Sequence, residues 1–206
     1  MQMQALAGGF ADPAIETVHV ASLNDPACHA AVARLQPAVI LTVSCRLLSR
    51  QTLASIQAGR PEGVETEVFV YGRLPLAYSA RCFTARHHNL PKDDCQYRCL
   101  DYPEGLTLST REGQAFLALN GIQTQSAQTC NLLPELAELQ ELNVDVLRLS
   151  PQPEGMETVV EAFAACLRGE RDPVEAARAL NAALPYGACD GYWQGQPGLR
   201  QVVNLA

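Results

Sequence analysis

The sequence predicts an α/β fold built on a parallel sheet, with residues 1–206 forming a single domain. Two observations carry this expectation. Strand-like apolar runs alternate with capped helical stretches as far as Ser150, as in a parallel sheet covered by helices. One run, AVILTV at residues 38–43, is almost continuously apolar, as a strand buried on both faces must be.

The elements follow in chain order. Residues 1–14 show no periodicity, and ETVHVA at 16–21 reads as the first strand. Asp25 caps a helix with Pro26 at its first position, where a missing N–H costs nothing, and the helix runs to Leu35. The apolar run at 38–43 is the second strand. Ser49 caps the next helix, with Leu53 and Ile56 facing inward and Gly59 ending it. Residues 65–71 form a third strand that the sequence breaks at Gly72, and a long cysteine-bearing loop occupies 73–112. QAFLAL at 114–119 is the fourth strand. Asn131 is placed as the cap of a helix carrying Leu132, Leu136, Leu139 and Leu142 at helical spacing. Residues 144–149 are the fifth strand.

Beyond Ser150 the chain turns helical. Met156, Val159, Val160, Phe163 and Leu167 mark one apolar face. Asp172, Pro173 and Glu175 then give an N-cap, a first-position proline and a capping-box carboxylate. The glycine-rich stretch 187–206 carries Tyr192 and Trp193, expected to pack on the body.

Composition narrows the function classes. With 48% hydrophobic and 18% charged residues the chain is globular rather than disordered. A net charge of −7 argues against broad nucleic-acid binding. No apolar run reaches the ~20 residues that span a bilayer, and the start, MQMQALAGGF, lacks the pattern of an export signal. A cytoplasmic protein without a membrane span is the expectation. No G-x-S-x-G, H-E-x-x-H, P-loop or G-x-G-x-x-G is present, so hydrolytic chemistry lacks a visible nucleophile and base.

The chemistry concentrates in residues 81–102, RCFTARHHNLPKDDCQYRCLDY, where Cys82, Cys95 and Cys99 stand in a C-x12-C-x3-C spacing. Asn89, Pro91, Asp93 and Asp94 favour turns. Spacing leaves four readings open: disulfides, which need an oxidising compartment; zinc, for which only Cys95 and Cys99 are suitably close; an iron–sulfur cluster, which accepts more variable spacings; or unliganded thiols. Arg81, Arg86, Lys92 and Arg98 would complement a negatively charged thiolate cluster, although for Lys92 a solvated position is preferred. His87 and His88 are ligand or proton-donor candidates, more simply read as surface residues. Cys28, Cys45 and Cys166 read as small buried hydrophobes, and Cys130 and Cys189 as candidates for a further ligand. Gln123, Thr124 and Gln125, in NGIQTQS, are candidates for hydrogen-bonding a polar substrate or for satisfying turn backbone.

EVFVYG at 67–72 fits the E-x-F-x-x-G start of a signature in the collagenase-like peptidase family U32. The text then departs from the peptidase-type members. RLPLAYSARCFTARHHNLPKDDCQYRC, NGIQTQSAQTC at 120–130 and NVDVLRLSPQ at 143–152 resemble the UbiV branch, over a span from about Val18 to the C-terminus. That resemblance implies a barrel-like fold, of which this chain, with about five strands, would be an incomplete, C-terminal portion; an open α/β domain is the alternative. An intact mass above 22.3 kDa from the native source would accord with the first. It also implies a [4Fe-4S] cluster held by Cys82, Cys95 and Cys99 and by a fourth cysteine far upstream, which this sequence does not contain. The implied function is O2-independent hydroxylation of the aromatic ring of a ubiquinone precursor, in a heterodimer with a UbiU-like paralogue and with a hydroxylated metabolite, prephenate, as oxygen source. The alternatives are a peptidase-family or peptide-binding module with a structural zinc, or an apo remnant.

Overall fold

The computed structural model describes residues 48–203. The expected strands at 16–21 and 38–43, the helix from Asp25, and Cys28 and Cys45 lie outside the described residues. The described chain opens with α1 (Arg50–Ala58), whose cap is as expected: the Ser49 hydroxyl accepts from the Thr52 N–H at 3.3 Å, and Gly59 ends the helix. Leu53 is its one buried residue and enters the core.

The sheet is built on β1 (Glu67–Tyr78). It pairs antiparallel with β4 (Gln123–Asn131) on one side and parallel with β5 (Val146–Leu149) on the other. Outside β4 lie β3 (Ala115–Asn120) and β2 (Leu106–Ser109), both in antiparallel pairs, giving the order β2-β3-β4-β1-β5. The short β6 (Ala188–Cys189) runs parallel to the last part of β4, taking over the edge that β3 leaves beyond Ser126. The mixed α/β class is as expected. The parallel sheet is not: parallel pairing is confined to β1–β5 and β4–β6, and the barrel expectation has no counterpart among the described residues. The reason is local. Residues 106–131 carry two tight hairpins rather than crossover helices, and hairpins make antiparallel neighbours. Gly121, at φ +59°, sits first in the two-residue β3–β4 turn, the position where such turns favour glycine.

Two expected boundaries move. Gly72 does not break the third strand: although its φ is +124°, it stays paired opposite Cys130, and β1 continues to Tyr78. The cysteine segment therefore spans 79–105, not 73–112. Asn131 caps no helix; it is the last residue of β4. A 3-10 turn (Leu133–Glu135) with Pro134 at its second position follows, and only α3 (Leu136–Glu141) is α-helical. Asn131 still serves the turn, since its side-chain oxygen accepts from the Leu133 N–H at 3.1 Å.

The core lies between the sheet and the C-terminal helices α4 (Met156–Leu167) and α5 (Pro173–Asn181). Val70, Leu133, Leu139 and Phe163 are among its most deeply buried members, each burial contributing about 1.5–3 kcal/mol. The α4 face is narrower than expected: Val159, Phe163 and Cys166 are buried, but Val160 and Leu167 are half exposed. At α5 the Asp172 carboxylate accepts from the Glu175 N–H at 2.8 Å, with Pro173 at the first position, as the sequence indicated. Trp193 is buried and its indole N–H donates to Glu138 at 3.2 Å, while Tyr192 is left partly exposed against Gly198. Among the described residues no helix is long and apolar enough to cross a membrane.

Candidate functional site

The cysteine segment leaves β1 at Tyr78 and is fastened at once to the β3–β4 turn. Ser79 N–H donates to the Ile122 carbonyl at 2.8 Å, and Phe83 N–H to that of Gly121 at 2.7 Å. These bonds fix the start of α2 (Phe83–His87), and Cys82 is its N-cap: the sulfur accepts from the Ala85 N–H at 3.4 Å. The sulfur thereby takes up one of the N–H groups that a helix start leaves free. The helix ends where Asn89, at φ 54°, turns the chain left-handed.

Two 3-10 turns follow, Lys92–Asp94 and Arg98–Asp101, and α2 packs against the second. Cys95 closes the first turn and Cys99 lies within the second. Between them Gln96 and Tyr97 are both left-handed, at φ 53° and 51°. For non-glycine residues such backbone costs about 1–3 kcal/mol each. The Tyr97 ring, 74% exposed, recovers nothing by burial. Strain of that kind, placed between two thiols, points to a functional demand on this stretch. The Tyr102 hydroxyl lies 3.0 Å from His88 Nε2, and the His87, His88 and Tyr102 rings pack edge to face or tilted. His88 thus ties the far end of the segment to α2, whereas His87 is exposed, as the surface reading expected.

Cys82, Cys95 and Cys99 are all free thiols of intermediate exposure, and no disulfide joins two cysteines among the described residues. Their chemistry fits a thiolate-held group: three unpaired sulfurs on one segment, one already accepting an N–H. Among the described residues, though, no three His, Cys, Asp or Glu side chains are grouped to hold a metal ion. Arg81 and Arg86 are exposed nearby, and Arg98 is engaged by Asp101 at 3.3 Å.

Cys130 and Cys189 do not join the three. They face each other in the β4–β6 pairing, buried in the core. Cys130 lies opposite Gly72, whereas the thiol segment leaves β1 after Tyr78, roughly 20 Å along the strand at about 3.3 Å per residue. Burial first, then the neighbouring Asp190, pushes the Cys189 thiol up to about 12. Burial likewise raises Cys130 well above the usual thiol range. Both stay protonated and are poor ligands. Cys166 is buried on α4, as expected.

The polar residues of NGIQTQS are strand, not loop, and Gln125 lines a cavity of about 280 Å³ with Asn120, Gln152, three prolines and Arg73. The sequence reading missed Arg73. Its signal was present, a lone cation in the apolar run FVYGRLPLAY. A bulge aims it: Pro75 has no N–H for the ladder, the β1–β4 register shifts on either side of it, and the Leu74 N–H goes instead to the Ser126 hydroxyl at 2.9 Å. The Arg73 guanidinium donates to the carbonyl and carboxylate of Glu104, at the end of the cysteine segment, and lies 5.8 Å from the Tyr186 ring.

Among known proteins, the model of Peptidase family U32 matches this chain over residues 36–200. No solved structure matches it.

Proposed function

The chain belongs to peptidase family U32, and from that premise we propose that it is a UbiV-like iron–sulfur protein of O2-independent ubiquinone biosynthesis. In this reading it supports ring hydroxylation of a quinone precursor together with a UbiU-like paralogue. The observation that carries it is the trio Cys82, Cys95 and Cys99: free, partly exposed thiols on one strained segment fastened to the sheet.

Those three residues would hold a [4Fe-4S] cluster, which supplies one-electron redox chemistry. The chain's own contribution is positional. The Gly121 and Ile122 carbonyls anchor the entry to α2, the Ala85 N–H donates to the Cys82 sulfur and fixes its place, and the Tyr102–His88 bond holds the second 3-10 turn near that helix. Arg81 and Arg86 add positive charge beside the thiolates. A fourth donor would come from outside residues 48–203 or from a non-protein ligand, since Cys130, Cys166 and Cys189 are buried.

The test is anaerobic purification of the full chain with iron and sulfide quantified and the visible spectrum recorded. About four irons and four sulfides per chain, with a broad charge-transfer band, support the reading. Zinc without sulfide moves the thiols to a structural-metal role and removes the redox one.

A further inference from the structure

We propose that the cavity beside Arg73 is a binding site for a small carboxylate ligand. Arg73 is 7% exposed. Its two terminal nitrogens are engaged by Glu104, but its Nε–H has no partner and is itself buried. Leaving a buried donor unmet is costly, and a native fold keeps one where something else satisfies it. The cavity lies at this residue, and its volume of about 280 Å³ stands close to the lower end of the ~300–1,000 Å³ of small-molecule pockets.

The lining defines the ligand's chemistry. Asn120, Gln125 and Gln152 offer uncharged amides, three prolines give rigid walls without N–H groups, and among the described residues Arg73 is the one charged side chain that lines the space. Gln125 and Gln152 use their amide nitrogens on Gln123 and on the Ser150 and Pro151 carbonyls. A guanidinium fork matches a carboxylate best. Glu104 meets the guanidinium with only one carboxylate oxygen, its backbone carbonyl taking the other terminal nitrogen, and its side chain is 45% exposed, free to swing into water. A ligand carboxylate would accept from Nε–H and displace the Glu104 carboxylate from the adjoining nitrogen, with its apolar body between the prolines. None of the three thiols lines this cavity, so the proposal stands apart from the cluster reading.

A ligand-observed NMR titration of the full chain with benzoate, and with its neutral counterpart benzamide, tests it. Benzoate should bind at least about tenfold more tightly than benzamide, the worth of one charge-assisted hydrogen bond. Glu104→Gln, at a half-exposed position, should tighten benzoate several-fold by removing the competing carboxylate, and Arg73→Gln should abolish the preference for benzoate. Absence of benzoate binding, equal binding of the two probes, or an unchanged benzoate affinity in Glu104→Gln would each overturn the proposal.

Discussion

Cys130 lies directly opposite Cys189 where β6 runs parallel to β4, and both thiols are buried beside the carboxylate of Asp190. Asp190 is held by the Val202 and Val203 N–H groups, at 2.5 and 2.8 Å. The pair acts as two small hydrophobes that close the edge of the sheet.

That relationship fixes an alkaline limit. The Cys189 thiol ordinarily titrates near 9.0 and is pushed up to about 12 in the fold, by burial and then by Asp190. Between those values the native state holds a proton that the unfolded chain has released. Stability is therefore fully present below pH 9 and is lost as pH rises toward 12, by about 2 kcal/mol for each 1.5 units. Denaturant unfolding at about pH 8.5 and about pH 10.5 should show a steeper loss in the parent chain than in Cys189→Ala. Equal slopes would remove the buried thiol as the cause.

Glu135 has the opposite remedy. Burial, then Glu138 and Asp190, raises its carboxyl above the usual range, with Arg50 and Trp193 opposing. The charged form is thus a burden on the fold at neutral pH. Glu135→Gln should raise the unfolding midpoint at pH 7, because an amide oxygen can still accept from Gln194 Nε2, now at 3.1 Å. The gain should vanish below about pH 4, where both chains are neutral at this position. A loss of stability at pH 7 would contradict the assignment.

Gly72 is indispensable for a steric reason. Its φ of +124° is closed to other residues, and a Cβ there would meet the Ser150 Cβ at 2.6 Å. Gly72→Ala should cost about 2–5 kcal/mol, combining backbone strain with overpacking, read as a drop in the denaturant midpoint. Gly113→Ala, where nothing lies within 4 Å, should cost only the backbone part.

These residues also show what the sequence could reveal. Helix starts at Ser49 and Asp172 were legible because a cap is a local event, settled by a side-chain oxygen and an N–H three residues on. The turn content around Asn89 and Pro91 was legible for the same reason. Strand pairing was not, since whether residues 106–131 return as hairpins or cross over depends on partners far along the chain. Gly72 read as a stop because its role, close approach to Ser150, involves residues 78 positions apart. Arg73 and Glu104 meet only once the bulge at Pro75 is formed. The three thiols were visible as a motif, whereas the burial of Cys130, at the far end of β4, and of its β6 neighbour Cys189 was not.

Cys82 separates a ligand's role from a structural one. Its sulfur caps α2, so Cys82→Ala removes both the cap and a thiolate, and a loss of iron in that variant has two explanations. Cys82→Ser keeps an acceptor for the Ala85 N–H, and serine caps helices well. Under the proposed ligation, Cys82→Ser should unfold within about 0.5 kcal/mol of the parent while losing most of its iron and sulfide. Cys95→Ala and Cys99→Ala, which remove no cap, should lose iron to the same degree. Cys166→Ala empties a buried position on α4, so it should lower stability and leave iron content per folded chain unchanged. Iron retained by Cys82→Ser, or lost by Cys166→Ala at equal folded fraction, would place the donors elsewhere. The comparison is decisive because stability and metal content are read on the same samples, and the ligand role moves only the second.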